Sequence, residues 1–127
     1  MRQVYETNVF GIVRVTNAFL PLLRESAAGR ILMVSSMRGS LAEPGAWAGQ
    51  PSMPYSSSKT ALNALTAHYA HEPKVNSACP GHAATDFNAF LGTRTPEEGA
   101  VAAIRLATVG PDGPTGKSFH DGRELTR

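Results

Sequence analysis

One cysteine, Cys79, in 127 residues leaves no internal disulfide framework to staple this chain. Charge is sparse as well: 17% of the residues are Asp, Glu, Lys or Arg, and 12 basic against 10 acidic side chains give a net of +2. The pI is near 9.0, yet the basic residues are scattered from Arg2 to Arg127 and no window gathers the cluster that counterion release from nucleic acid exploits. Long apolar runs are missing too. Aliphatic stretches such as Ile31-Leu32-Met33-Val34 fall far short of the roughly 20 residues a membrane span needs. Met1 to Asn8 carries neither the apolar core nor the cleavage site of a secretory leader, which together with the lone cysteine predicts a cytoplasmic protein. Nucleic acid and membrane are therefore set aside as partners. What is present, 42% hydrophobic residues without repeats or low-complexity tracts, suffices to offset ordering entropy in one domain or part of one.

Apolar residues recur at helical spacing from about Arg2 to Arg24, placing Asn8, Ile12, Val15, Phe19 and Leu22 on one face, with a kink expected near Pro21. Ser26 to Gly29 breaks that helix. Arg30 to Ser36 follows as a short apolar run ending in hydroxyls, the pattern of a parallel strand covered on both faces. After a Gly- and Pro-rich stretch around Trp47, Ser52 to about Tyr69 is helical, with Ala61, Leu62, Leu65 and Tyr69 together. Lys74 to Cys79 is a second strand closed by Pro80-Gly81. Thr95-Pro96-Glu97-Glu98 joins an N-cap hydroxyl, an N1 proline and a capping-box glutamate. The helix it opens runs to about Thr108, with Ala100, Val101, Ile104 and Ala107 predicted to point inward, and Gly116 to His120 forms a third strand before an Asp121-Gly122 turn. Alternation of this kind predicts an α/β fold, a parallel sheet with right-handed helical crossovers.

The strongest chemical signal is Tyr55-Ser56-Ser57-Ser58-Lys59. Residues four apart share a helix face, so phenol and ammonium can converge. A neighbouring positive charge stabilises phenolate, which suits a tyrosine to acid–base work on an oxygen near neutral pH. Ser36 ends a parallel strand, where open α/β sheets place their ligand crevice, and its hydroxyl could hold a substrate oxygen. Asn8 puts an amide on an apolar helix face, where it needs a partner. Pro80-Gly81 and Thr85 bring a turn and a hydroxyl to the same sheet edge. Each alone also reads as ordinary: an exposed helix pair, a polar strand exit, a loop.

Taken together, Asn8 in Asn-Val-Phe-Gly, Ser36 in Val-Ser-Ser-Met-Arg-Gly, Tyr55 to Lys59 continuing into Thr60-Ala61-Leu62, and Val75 to Gly81 resemble the short-chain dehydrogenase/reductase family, in order and over almost the whole chain. The resemblance implies a partial doubly wound, Rossmann-like parallel sheet of about three strands with flanking helices, and makes residues 1–127 the C-terminal portion of one dinucleotide-binding oxidoreductase domain. It implies NAD or NADP as cofactor and a small carbonyl or secondary alcohol as substrate. Tyr55 would then be the proton donor, Lys59 its charge partner and the holder of the nicotinamide ribose, Ser36 the ligand of the substrate carbonyl, and Asn8 the holder of a relay water. Pro80, Gly81 and Thr85 would line the nicotinamide end.

Three departures qualify that likeness. The glycine-rich turn that holds the cofactor pyrophosphate is not among these residues, so about half a domain is expected to be missing, the isolated chain inactive, and the first strand an open edge inviting a homo-oligomer or partner. Between Glu72 and Lys74, Pro73 alone replaces several residues that in the family finish the helix and turn into the strand, so the helix is expected to end early. The Ser36 to Tyr55 spacing is long, which enlarges the loop around Trp47. Two rivals fail on the residues. His68, His71, Cys79 and His82 are loosely spaced zinc ligands with a single thiolate, so no metal is expected. Gly110 to Ser118 resembles a phosphate loop, but Pro111 stands where glycine is required, and with Pro114 it removes N–H donors.

Overall fold

The computed structural model describes residues 1–72 and 74–126; the single-proline link at Pro73 lies outside them. Helices α1 (Arg2–Tyr5) and α2 (Ile12–Glu25) run on from one another through a π-helical turn, Glu6–Gly11. Strand β1 (Arg30–Val34) leads through a 3-10 turn, Met37–Gly39, and a long loop to α3 (Met53–His68). Then come β2 (Lys74–Ala78), α4 (Pro96–Ala107), β3 (Ser118–His120) and β4 (Arg123–Glu124). The sheet order is β1-β2-β3-β4. β1, β2 and β3 are parallel, with Arg30 opposite Lys74 and Ser77 opposite Ser118, and β4 is antiparallel to β3. The expected parallel α/β sheet is thus present, with a fourth short strand added by a hairpin. Asp121 and Gly122 both have positive φ, 50° and 85°, the two-residue turn that matches strand twist.

Strand alternation divides the core between the two faces. Met33 and Val75 meet Leu20 of α2, Leu62 of α3 and Tyr69 of the 3-10 turn after it on one side. On the other, Ala78 meets Ala102 and Leu106 of α4, with Leu32 and Phe119 packed against them. Full burial of a side chain such as Leu62, 2% exposed, is worth about 1.5–3 kcal/mol. Two of the buried polar residues are tied across the fold: Asn76 donates to the Pro114 carbonyl and accepts the Lys117 N–H, and Ser35 donates to Asn63 Oδ1 at 2.6 Å. Those contacts make Gly110–Lys117 a strap along β2. The capping box at Thr95 forms as read, with Thr95 N–H on Glu98 Oε2 at 2.8 Å.

The buried face of α4 differs from the periodicity reading, and that of α2 lies beside the apolar face read from the sequence. In α4 the buried positions are Gly99, Ala102 and Leu106, whereas Val101 is 53% and Ile104 62% exposed; Ala100 is half-buried and Ala107 exposed. In α2, Thr16 and Leu20 are buried while Val15, Phe19 and Leu22 face outward. Each helix carries two apolar stripes. Periodicity finds the larger side chains, but close approach to the sheet selects the smaller ones. Pro21 does not end α2, which continues to Glu25; the irregular turn lies earlier, at Glu6–Gly11.

Candidate active site

Tyr55 lies in the first turn of α3 and Lys59 one turn later, both half-buried. The ammonium of Lys59 stands 5.6 Å from the centre of the Tyr55 ring. It donates to the carbonyl of Val34 at 2.8 Å, which fixes it at the carboxyl end of β1. Burial lowers the Lys59 pKa from its ordinary 10.5, and the nearby Cys79 thiol works in the opposite direction. One of its three N–H donors is thereby used on the sheet, leaving the others for an oxygen-rich ligand.

Two residues after Val34, Ser36 caps the 3-10 turn, its Oγ accepting the Arg38 N–H at 3.2 Å. That turn rests directly on α3. A Cβ on Gly39 would stand 2.7 Å from the carbonyl carbon and oxygen of Lys59, so glycine is what allows this approach. The turn that Ser36 caps is thereby seated against Lys59 where β1 meets α3. Asn8 reaches α3 from the π turn: its Nδ2 donates to Ser58 Oγ at 3.0 Å, and Ser58 Oγ donates to the Tyr55 carbonyl at 2.7 Å. Ser58, fully buried, was not anticipated. Its only sequence signal was its place beside Lys59, because its partner lies 50 positions away.

Pro80, Gly81 and Thr85 follow the carboxyl end of the neighbouring strand, β2. Gly81 has φ +73°, and a Cβ there would collide with Arg94 Cδ and His120 Cε1 at 2.9 and 3.0 Å. Cys79 Sγ accepts N–H groups from Met37 at 3.2 Å and Gly81 at 3.4 Å, so a buried thiol joins the Ser36 turn to the Pro80-Gly81 turn. His120 Nδ1 lies 3.0 Å from the Cys79 carbonyl, and Arg94 forms a bidentate pair with Asp121. Thr85 opens the 3-10 turn Asp86–Asn88, its N–H on Asn88 Oδ1 at 3.2 Å. No hydrogen bond among the described residues joins it to Tyr55, Lys59 or Ser36. His68 and His71 stack edge to face 5.8 Å apart on α3 and the turn after it. Among the described residues no three His, Cys, Asp or Glu side chains gather as a metal site would require.

Parallel strands with a tyrosine–lysine pair on the helix beside their carboxyl ends, and a serine just past the first strand, define a Rossmann-like α/β protein. The sequence model of the family described as short chain dehydrogenase matches residues 1–95, and the chain belongs to that family. It is 32% identical over 159 aligned positions to (+)-neomenthol dehydrogenase of Capsicum annuum, covering 94% of this chain and 51% of that protein. The structure of salutaridine reductase from Papaver somniferum superposes with a TM-score of 0.75 at 31% identity, over 90% of this chain and 52% of the other. The Pseudomonas aeruginosa RhlG/NADP active-site complex superposes with a TM-score of 0.74 at 26% identity, over 90% and 54%. The chain thus spans about half the length of the relatives it matches. NAD(P) is the cofactor that goes with this family, and the residues here fit its ribose end: a half-buried ammonium beside a phenol, with one donor used on the sheet. No helix among the described residues is long and apolar enough to cross a membrane.

Proposed function

We propose that this chain is the C-terminal portion of an NAD(P)-dependent oxidoreductase that reduces a ketone or aldehyde, or oxidises a secondary alcohol, with Tyr55 as the acid–base group. The observation that supports this most is the Lys59 ammonium held against both the Tyr55 ring and the Val34 carbonyl. The bound nicotinamide would supply or accept the hydride. Ser36 orients the substrate oxygen by donating its hydroxyl proton. Tyr55 gives that oxygen a proton in reduction, or takes it in oxidation, and the ammonium alongside stabilises the negative charge left on the phenolic oxygen. Lys59 also holds the ribose hydroxyls, and Asn8, anchored on Ser58, is placed to order a water leading back to the lysine. Pro80, Gly81 and Thr85 line the nicotinamide end.

The cofactor's pyrophosphate needs backbone N–H groups of a glycine-rich turn that these residues do not contain. The chain alone therefore neither binds nicotinamide cofactor tightly nor turns over, since an unanchored cofactor forfeits much of the roughly 7–11 kcal/mol that positioning supplies. Titration of the purified chain with NADH and NADPH by nicotinamide fluorescence should show no micromolar binding, and small ketones should not be consumed. Adding a separate chain that carries a relative's glycine-rich half should restore both, and Tyr55→Phe should remove the turnover. Turnover by the isolated monomer would overturn the fragment reading. Restored turnover that survives Tyr55→Phe would overturn the acid–base assignment.

A further inference from the structure

The loop between Ser36 and Tyr55 buries side chains at steps of three: Ser40 is 2% exposed, Glu43 5% and Ala46 2%. Glu43 is also the one charged residue between Ser40 and Pro54. A carboxylate removed from water in a Gly- and Pro-rich loop needs partners that compensate it. Both come from the C-terminal end of the chain: Arg123 Nη2 donates to Oε1 at 2.5 Å and the Thr126 N–H to Oε2 at 3.0 Å. Together they hold the carboxyl below its ordinary pKa, the Arg123 bond foremost. Ser40 reinforces the same join. Its Oγ donates to the Thr126 carbonyl and accepts the N–H of Glu43 at 2.8 Å, while the Ala46 N–H closes onto the Glu43 carbonyl at 3.1 Å.

The other side of the join is fixed to the sheet. β4 pairs with β3, Leu125 donates its N–H to the Ser118 carbonyl at 2.8 Å, and the Leu125 side chain is 5% exposed. Arg38 grips the far end of the loop through the Ala48 and Gln50 carbonyls, but Arg38 stands at the loop's own root and cannot tie it to the sheet.

We propose that Glu43 is a positioning residue of the site, fastening the loop that follows Ser36 to the C-terminal strand so that β4, beyond the seat of Met37–Gly39 on α3, sets where this wall stands. The placement of the loop beside the substrate rests on the reading given above; the fastening itself does not.

Trp47, the only tryptophan and 55% exposed, follows Ala46 directly and reports on the loop. In the 127-residue chain, Glu43→Gln and Arg123→Gln should increase acrylamide quenching of Trp47 about twofold and amide exchange across residues 40–50 about tenfold, with α3 and β2 unchanged, as expected for local opening. Arg123→Lys should restore most of the protection. Lys117→Gln, which removes the exposed Lys117–Glu124 pair of the same hairpin, should leave both readouts as they were. A folded Glu43→Gln variant with unaltered quenching and exchange would overturn the proposal, and so would a uniform rise in exchange through the whole sheet. If Glu43→Gln does not fold, Arg123→Gln carries the same test from a partner whose side chain is 56% exposed. Neither measurement uses catalysis, so a failure here leaves the role of Tyr55 standing, and a failure of Tyr55→Phe leaves this fastening standing.

Discussion

The two edges of the sheet are finished in opposite ways. At the β4 edge the strand is short, its ends are held by Glu43 and by the Lys117–Glu124 pair, and Leu125 is driven into the core. At the β1 edge no strand pairs among the described residues, Val34 is 56% exposed, and a groove of about 560 Å³ runs beside it, lined by Ile12, Val15, Phe19 and Ile31. An apolar strand with an unpaired edge invites pairing, whereas a short, charged one discourages it. The contrast shows that one edge is closed by charge and burial while the other keeps an apolar strand unpaired among the described residues. The Tyr55–Lys59 pair sits near the open side: Lys59 is bonded to Val34 of the edge strand itself.

The largest expected effect is on chemistry at that side. In the protein completed with a glycine-rich half, Tyr55→Phe should lower the rate of ketone reduction by about 10²–10⁴-fold, the span that general acid–base catalysis supplies. Initial rates with saturating NADPH check this, and a smaller loss would separate the open edge from the reacting centre. Next comes the shared core. Leu62→Ala, at a side chain 2% exposed between sheet and α3, should destabilise by about 2–5 kcal/mol in urea unfolding.

The pairs that close the surface predict a direction with pH. Glu43, Glu72 and Asp121 are each held below their ordinary values, first by hydrogen bonds from Arg123, Arg24 and Arg94 respectively. A carboxyl whose folded pKa is depressed contributes stability above its unfolded pKa and loses it as pH falls through the folded one. Unfolding midpoints should therefore fall as pH drops from the ordinary values, 4.5 for Glu and 3.8 for Asp, and Glu43→Gln should flatten that decline. An unchanged slope would show that the β4 closure does not depend on the charge. The smallest effect on stability belongs to Val34→Lys. An exposed edge substitution changes unfolding by about 0.5 kcal/mol or less, yet a lysine there should suppress concentration-dependent association in sedimentation. Persistent association would place the sticky surface elsewhere.

These contrasts were unequally legible beforehand. Tyr55 and Lys59 could be read because their relation is one helical turn, and Thr95 and Asp121-Gly122 because caps and turns are local chemistry. β4 could not: two polar residues show no alternation, and only the hairpin makes them a strand. Glu43 in a Gly- and Pro-rich loop reads as a solvated charge until Arg123, 80 positions away, is brought against it. Asn8 was found from its place on a helix, but its bond to Ser58 required the fold. The inward face of α4 was not legible because its bulky apolar residues, Val101 and Ile104, lie outside while Gly99 and Ala102 meet the sheet.

The π turn at Glu6–Gly11 acts as a phase shifter. A helix advances about 100° per residue, so one residue more than an α turn requires rotates everything upstream by that angle relative to everything downstream. Removing a single residue between Glu6 and Gly11 would leave a continuous helix of good geometry, and α2 would keep its seat on the sheet. The azimuth of Arg2–Tyr5, however, would swing by a little over a quarter of a circle, and Asn8 would turn away from Ser58.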